Sequence, residues 1–142
     1  MLKYRGITLD GYWITGYLTY SKKEKLYYIT EDNDNEFSFP VIPESLSVTY
    51  TGLTDKNGNQ IYASFEVDGK MSKGGDIISY IDEIMNGSQS GVIYEDTSNE
   101  GNMFFDAKLL QFNVSNRISI DIESLFEGKE YIEIIGKQWE DK

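Results

Sequence analysis

The fold of this chain is decided by YTGLTDKNGNQIY, residues 50–62, which lies between two strand-rich halves. Asp55, Asn57 and Gly58 supply the side-chain-to-backbone hydrogen bonds and the tolerance of positive φ that a chain reversal needs. The pattern therefore predicts a hairpin or tight corner at this point. Apolar residues that would anchor the paired segments stand on either side of it: Leu53, Ile61 and Tyr62.

The N-terminal segment has the alternation and the turn residues of a β-meander. Asp10-Gly11 lies between two β-forming runs, where Asp-Gly is a strong short-range signal for a hairpin. A second polar reversal, residues 21–25, leads into the apolar run 26–30. We therefore expect three antiparallel strands here. Pro40 and Pro43 should confine the following extended pieces to an edge or a bend.

The stretch at residues 50–62, followed by Gly75-Asp76 and an apolar run, resembles the signature of the YopX family of phage and prophage proteins. Residues 3–6 and 130–136 are also similar to motifs near the two ends of that family. The resemblance implies an all-β fold in which a small SH3-like barrel follows an N-terminal β-meander, with at most one or two short helices. The family has no settled function, so the resemblance implies a fold and an origin but no activity.

The same resemblance implies a domain organisation. Residues 1–142 would form a single domain, with the β-meander in residues 1–50 and the barrel in residues 51–142. The chain departs from the family pattern at residues 63–74, where relatives have little more than a glutamate. Asp68-Gly69 in this insert predicts a turn, so we expect an extra hairpin that either extends the sheet or protrudes from it.

Helical spacing and the resemblance disagree about residues 76–85. Ile77, Ile81 and Ile84 recur at a spacing typical of an amphipathic helix. Relatives have a strand directly after their Gly-Asp, which implies a strand over residues 76–82 here. We expect the strand, with the helix as the alternative. Further strands are expected at 91–94, 102–106, 109–114 and 130–136, with a helical turn or two within 121–126.

The composition bounds the class of protein. Of the 142 residues, 39% are hydrophobic and 14% aromatic, which is enough for a core and too apolar for a disordered acidic tail. The 24 acidic and 13 basic side chains give a net charge of −11, which repels phosphate backbones. We therefore expect no direct nucleic-acid binding, and instead a host or phage protein partner with a basic surface.

Two residue types that carry much of enzyme chemistry are missing. The chain has no cysteine, which excludes disulfides, thiolate nucleophiles and zinc–thiolate sites. It has no histidine, the commonest general base near neutral pH and the commonest metal ligand. In the acidic loop 31–36 and beyond it, Phe37 and Pro43 stand where a calcium-binding EF-hand needs glycine and glutamate. We expect no metal, no cofactor and no catalytic residue.

Targeting signals are not evident in the sequence. No apolar run approaches the length of a membrane span, and the first residues lack the apolar core of a secretory signal. We expect a protein that has no membrane partner and is located in the cytoplasm of a bacterial host.

Acidic side chains concentrate in the second half of the chain. Residues 1–71 carry 10 acids and 7 bases, whereas residues 72–142 carry 14 acids and 6 bases. We predict a negative face that mimics nucleic acid and occupies a basic groove of a partner; a solvated surface that keeps the protein soluble is the alternative. The residues predicted to bind the partner are Glu95, Asp96, Glu100, Asp106, Asp121, Glu123 and Glu127.

The expected function is that of a non-enzymatic binding protein of a phage or prophage, an acidic inhibitor of a host defence or nucleic-acid-handling protein. One alternative is a structural or assembly β-domain that homo-oligomerises through strand edges. Another is a small carboxylate-based hydrolase, which needs two acids facing one cleft. Neighbouring acids such as Glu95 and Asp96 would point to opposite faces of a strand. The 11 tyrosines either line a recognition surface or pack in the sheets.

Overall fold

The computed structural model describes residues 2–33, 37–50, 54–82, 87–95, 102–109, 114–121 and 132–139. It is an all-β protein, as predicted, and the helical structure in these ranges is one 3-10 turn at Pro43–Ser45. The strands are β1 Leu2–Ile7, β2 Trp13–Ser21, β3 Leu26–Glu31, β4 Ser38–Val41, β5 Ser47–Tyr50, β6 Glu66–Val67, β7 Lys70–Met71, β8 Asp76–Asp82, β9 Gly87–Glu95, β10 Asn102–Leu109, β11 Val114–Asp121 and β12 Ile132–Lys137.

The first sheet contains the predicted meander. Its strand order is β4-β3-β2-β1-β5, and every neighbouring pair is antiparallel. Gly11, at φ +99°, completes the turn after β1. Gly16 of β2 lies so close to its neighbour β3 that a Cβ atom would stand 1.9 Å from the Thr30 carbonyl oxygen. Pro40 lies in the edge strand β4, where the absence of an N–H group is tolerated.

The second sheet has the strand order β11-β10-β9-β8-β12, again antiparallel throughout. Its strand β8 confirms the strand expected at 76–82 over the helix that the isoleucine spacing suggested. The reason is pairing on both sides: β8 is hydrogen-bonded to β9 along one edge and to β12 along the other. Tertiary pairing of this kind overrides a helical pattern in a short apolar run.

Neither sheet closes into a barrel within the described residues, so the SH3-like barrel implied for residues 51–142 is not observed. Closure of the second sheet would need a ladder between its outer strands, and the register pairs β11 with β10 and β12 with β8. The first sheet does curl. Thr8 and Val41 form a bridge, and the Ile42 N–H donates to the Ile7 carbonyl at 2.8 Å, which joins one corner of β4 to the end of β1.

A short segment, residues 61–64, joins the two sheets. Ala63 exchanges two backbone hydrogen bonds with Val48 of β5, at 2.9 and 2.7 Å. The next residue, Ser64, accepts from the Glu95 N–H and donates its own N–H to the Ile93 carbonyl of β9. One extended stretch therefore pairs with the first sheet on one side and with the second sheet on the other.

The expected extra hairpin within residues 63–74 is formed by β6 and β7. Its two-residue turn has Asp68 at φ 52° and Gly69 at φ 82°, the pair of positive values that a type I′ hairpin turn requires. The hairpin forms a separate two-stranded sheet that folds onto the first sheet. Its Val67 is buried in a core cluster with Ile29, Val41 and Leu46.

Candidate functional site

The central turn is a tight corner, as predicted, and it is organised by the Asp55 carboxylate. Asp55 is 2% exposed, and its Oδ1 accepts hydrogen bonds from the N–H groups of Asn57 and Asn59 at 3.0 and 2.9 Å. Its Oδ2 accepts from the N–H of Ile134 in β12 at 3.1 Å. The adjacent Lys56 N–H donates to the Ile132 carbonyl at 2.8 Å. The turn therefore covers the outer edge of β12, and Asp55 serves the fold.

A buried ion pair links the two sheets. Arg5 of β1 places one guanidinium nitrogen 2.8 Å from Asp76 Oδ1, at the start of β8, and the same nitrogen donates to the Gly74 carbonyl at 2.8 Å. The other oxygen of Asp76 accepts the Tyr62 N–H at 2.8 Å. The two side chains are 10% and 2% exposed. Breaking a pair buried this deeply would leave an uncompensated charge.

Aromatic rings and a second cation surround this ion pair. The Arg5 guanidinium lies 4.3 Å from the ring centroid of Tyr62 and 5.2 Å from that of Trp13. The Lys137 ammonium lies 4.4 Å from the ring centroid of Trp13, so the Trp13 ring contacts cations from both sheets. We call these five residues, Arg5, Trp13, Tyr62, Asp76 and Lys137, the cation–ring cluster.

Burial perturbs the acid groups of the cation–ring cluster. Desolvation raises the pKa of Asp76 above its usual range, and the Arg5 charge and the Tyr62 N–H act against that increase. Desolvation also raises the pKa of the Tyr62 phenol, against the charges of Lys3 and Arg5. Such perturbed groups are often found in active sites. Here both Asp76 oxygens already accept hydrogen bonds from the fold, so the arrangement supports cohesion between the sheets over proton transfer.

The structure places three of the seven predicted partner-binding acids on neighbouring strands of the second sheet. Glu95, half-buried, ends β9 and pairs with Met103 of β10. Asp106 lies within β10, and Asp121 ends β11 opposite Asn102. Glu95 and Asp121 therefore lie near the same end of the sheet, two strands apart. The remaining four, Asp96, Glu100, Glu123 and Glu127, lie outside the described residues, and a shared negative face remains a prediction.

Several large apolar side chains are exposed on the described surface. Tyr17 of β2 is 52% exposed, Tyr12 and Phe37, directly before β2 and β4, are 65% and 60% exposed, and Ile135 of β12 is 55% exposed. Other tyrosines pack inside the protein: Tyr62 is buried, and Tyr4 contacts Phe65 edge-on at 5.6 Å. Some tyrosines therefore pack inside the protein, and a recognition role for the exposed ones stays a prediction.

Two further kinds of feature are absent from the described ranges. No group of three or more carboxylates is placed to hold a metal ion there. In the same part of the chain no helix has the length and apolar character needed to cross a membrane.

The cation–ring cluster was missed at the sequence level. Arg5 and Asp76 are 71 residues apart in the chain, and no local spacing connects them. The available signal was the Gly74-Gly75 pair directly before Asp76, which indicated a close approach of two backbones.

Comparisons of the chain with protein-family models, with curated proteins and with solved structures found no match.

Proposed function

We propose that this chain is a non-enzymatic binding protein of phage or prophage origin that acts in the cytoplasm of a bacterial host. In this proposal its acidic second half mimics nucleic acid and occupies the basic surface of a host defence or nucleic-acid-handling protein. The observation that carries the proposal is the charge distribution, a net −8 over residues 72–142 compared with −3 over residues 1–71. The resemblance to the YopX family supports the origin.

The hydrogen bonding of the buried carboxylates supports a binding role over a hydrolytic one. Among the residues whose side-chain exposure the structure describes, Asp55 and Asp76 are the buried acids, and each is bound on both oxygens by groups of the fold. They belong to separate arrangements, one at the central turn and one in the cation–ring cluster. A glycoside hydrolase needs two carboxylates free to meet one substrate. The hydrolase alternative therefore gains no support from these two acids.

The strand register brings three acids of the predicted set near one another in the second sheet. Asp106 and Asp121 occupy register positions of one face, and Glu95, opposite Met103, occupies a position of the other face. Two strand spacings separate Glu95 from Asp121, roughly 10 Å, and Asp106 lies three residues along β10 from the partner of Glu95, again roughly 10 Å. Salt screens exposed charges over about 8 Å at physiological ionic strength, so each acid would act mainly on the nearest cations of a basic partner surface. We therefore expect binding to weaken steeply as salt is added.

The decisive experiment is affinity capture from host lysate with two charge-reversal variants of equal charge. In the first variant Glu95, Asp96, Glu123 and Glu127 are changed to lysine. In the matched control Asp10, Glu24, Asp34 and Glu36, all in the first half, are changed to lysine. We expect a captured protein to be lost with the first variant, kept with the control, and displaced by added double-stranded DNA. Equal capture by both variants, or no captured protein, contradicts the proposal.

A second candidate function, homo-oligomerisation, is favoured by the outer strand β11. Its described residues pair with β10 along one edge, and no described strand pairs with the other edge. Strands with a free edge can add a further strand from another chain. Light scattering during size-exclusion chromatography tests this candidate: a mass that stays at one chain over a wide concentration range excludes it.

A further inference from the structure

The hairpin β6–β7 and the turn Pro43–Ser45 face each other across a groove of about 370 Å³. Its walls are mainly apolar, from Ile42, Pro43, Val67 and Met71. Exposed charged side chains add to the lining: the acids Glu44 and Asp68 and the cation Lys70. The groove therefore combines an apolar floor with an excess of one negative charge.

Hydrogen bonds fix the hairpin wall of the groove to the first sheet and to the opposite wall. The Tyr27 hydroxyl donates to Asp68 Oδ1 at 2.8 Å, which holds the tip of the hairpin. The Lys73 N–H donates to the Glu44 carbonyl at 2.7 Å, and the Ser72 hydroxyl donates to the Leu46 carbonyl at 2.5 Å. A groove whose walls are held in this way is formed before any ligand arrives, which lowers the entropic cost of binding.

The size and openness of the groove indicate what fits it. Its volume lies at the lower end of the range of about 300–1,000 Å³ for ligand sites. Met71, Glu44 and Lys70 are exposed along it, so an occupant would stay partly in solvent. One or two apolar side chains on an extended chain fit these conditions better than a fully enclosed small molecule.

We propose that this groove binds an extended segment of a partner protein in which an aliphatic or aromatic anchor stands next to lysine or arginine. The apolar walls take the anchor. The two acids of the groove favour flanking cations, and the net charge of −11 attracts basic segments and repels acidic ones. The inference rests on the proposed binding role, but it uses a surface separate from the seven predicted acids. The proposal also assigns a functional role to the hairpin within residues 63–74.

Selection from a display library of short random peptides on the full-length protein tests the proposal. Counter-selection uses Met71→Asp, which puts a charge into the groove at an exposed position. The matched control is Ile135→Asp, an apolar site in the second sheet that is 55% exposed, compared with 38% for Met71. We expect enriched peptides to carry an apolar anchor flanked by lysine or arginine. By fluorescence anisotropy, Met71→Asp should weaken their binding about tenfold or more, and Ile135→Asp less than twofold. Glu44→Lys should abolish the preference for basic flanks.

Three results would overturn the groove proposal. They are no enriched peptide, enriched peptides that bind Met71→Asp as well as the wild type, and enriched peptides without basic flanks. Thermal unfolding of each variant verifies that it is folded. The four-lysine variant of residues 95–127 should still bind the peptides. Failure of the wild type to capture a lysate protein therefore contradicts the proposed function alone, and failure to bind peptides contradicts the groove proposal alone.

Discussion

At the scale of single residues, the described buried carboxylates each hold together segments that are far apart in the chain. Asp55 connects its own turn to β12, whose Ile134 N–H it accepts across 79 residues of sequence. Asp76 connects β8 to Arg5 of β1. A buried acceptor whose partners are all backbone or guanidinium donors is costly to remove, because the donors are left without a partner away from water. These two positions therefore give sharp predictions.

Replacing Asp55 by alanine should strongly destabilise the protein. The change leaves the N–H groups of Asn57, Asn59 and Ile134 without their acceptor, and we expect the free energy of unfolding to fall by about 2–4 kcal/mol. Urea unfolding followed by circular dichroism measures this loss. The control is Asp10→Ala in an exposed turn, with an expected change within about 0.5 kcal/mol. Equal effects of the two substitutions would refute the role given to Asp55.

Asp76 should give the protein a characteristic pH dependence. Burial raises the pKa of Asp76 in the folded state above 3.8, the value of a carboxyl group of this type that is not buried. The folded state then binds the proton more tightly than the unfolded state, so this group contributes most to stability at low pH and loses that contribution as pH rises through the raised pKa. The difference in unfolding free energy between the wild type and Asp76→Asn should therefore decrease as pH increases from about 3.8. An increase would mean that the Arg5 charge outweighs desolvation.

At the scale of elements, two glycines allow the segment after the hairpin to pass against neighbouring backbones. A Cβ atom at Gly74 would lie 2.0 Å from the Ser45 carbonyl oxygen, and one at Gly75 would lie 2.6 Å from the Ser64 nitrogen. These approaches place Asp76 within reach of Arg5. Two adjacent residues without side chains, Gly74 and Gly75, thus fix the positions of three features. These are the hairpin β6–β7, the segment 61–64 that joins the two sheets, and the cation–ring cluster.

Gly74→Ala should disrupt this arrangement. Carbonyl oxygens cannot yield as a flexible side chain would, so we expect a loss of about 3 kcal/mol or more in unfolding free energy. The matched control is Gly136→Ala in β12, where a Cβ atom would meet nothing within 4 Å. Thermal melts of the two variants compare them directly. A melting temperature for Gly74→Ala equal to that of the control would show that the segment can move aside.

Local elements were predictable because their signals are local. Asp10-Gly11 and Asp68-Gly69 each determine a turn within a few residues, and Asp55 with Gly58 determines the central corner. The strand β8 was ambiguous because its identity comes from β9 and β12, which flank it in space. Barrel closure depends on which outer strands meet, and no turn residue specifies that. The Arg5–Asp76 pair was unpredictable for the same reason, and charge counting cannot place the acids of residues 95–127 on one face.

At the scale of the whole molecule, two antiparallel sheets are joined by backbone hydrogen bonds and side-chain contacts. The backbone bonds of Ala63 and Ser64 cross between them, and the Arg5–Asp76 pair crosses again. Lys137 of the second sheet also lies on the Trp13 ring of the first. Separate unfolding of one sheet should therefore cost much free energy, because it would expose buried polar groups of the other sheet.

The two tryptophans of the chain report on the two sheets and test this cooperativity. Trp13 lies in β2, and Trp139 lies two residues after the end of β12. In Trp139→Phe the remaining tryptophan fluorescence follows Trp13 of the first sheet, whose ring also contacts Lys137 of the second, and in Trp13→Phe it follows Trp139, next to β12. We expect the urea midpoint of fluorescence to coincide with that of far-ultraviolet circular dichroism in each variant, since the sheets unfold together. Arg5→Leu should lower both midpoints equally, because the uncompensated Asp76 charge destabilises the contact between the two sheets. A fluorescence midpoint that shifts for one sheet alone would show that the two sheets are independent units.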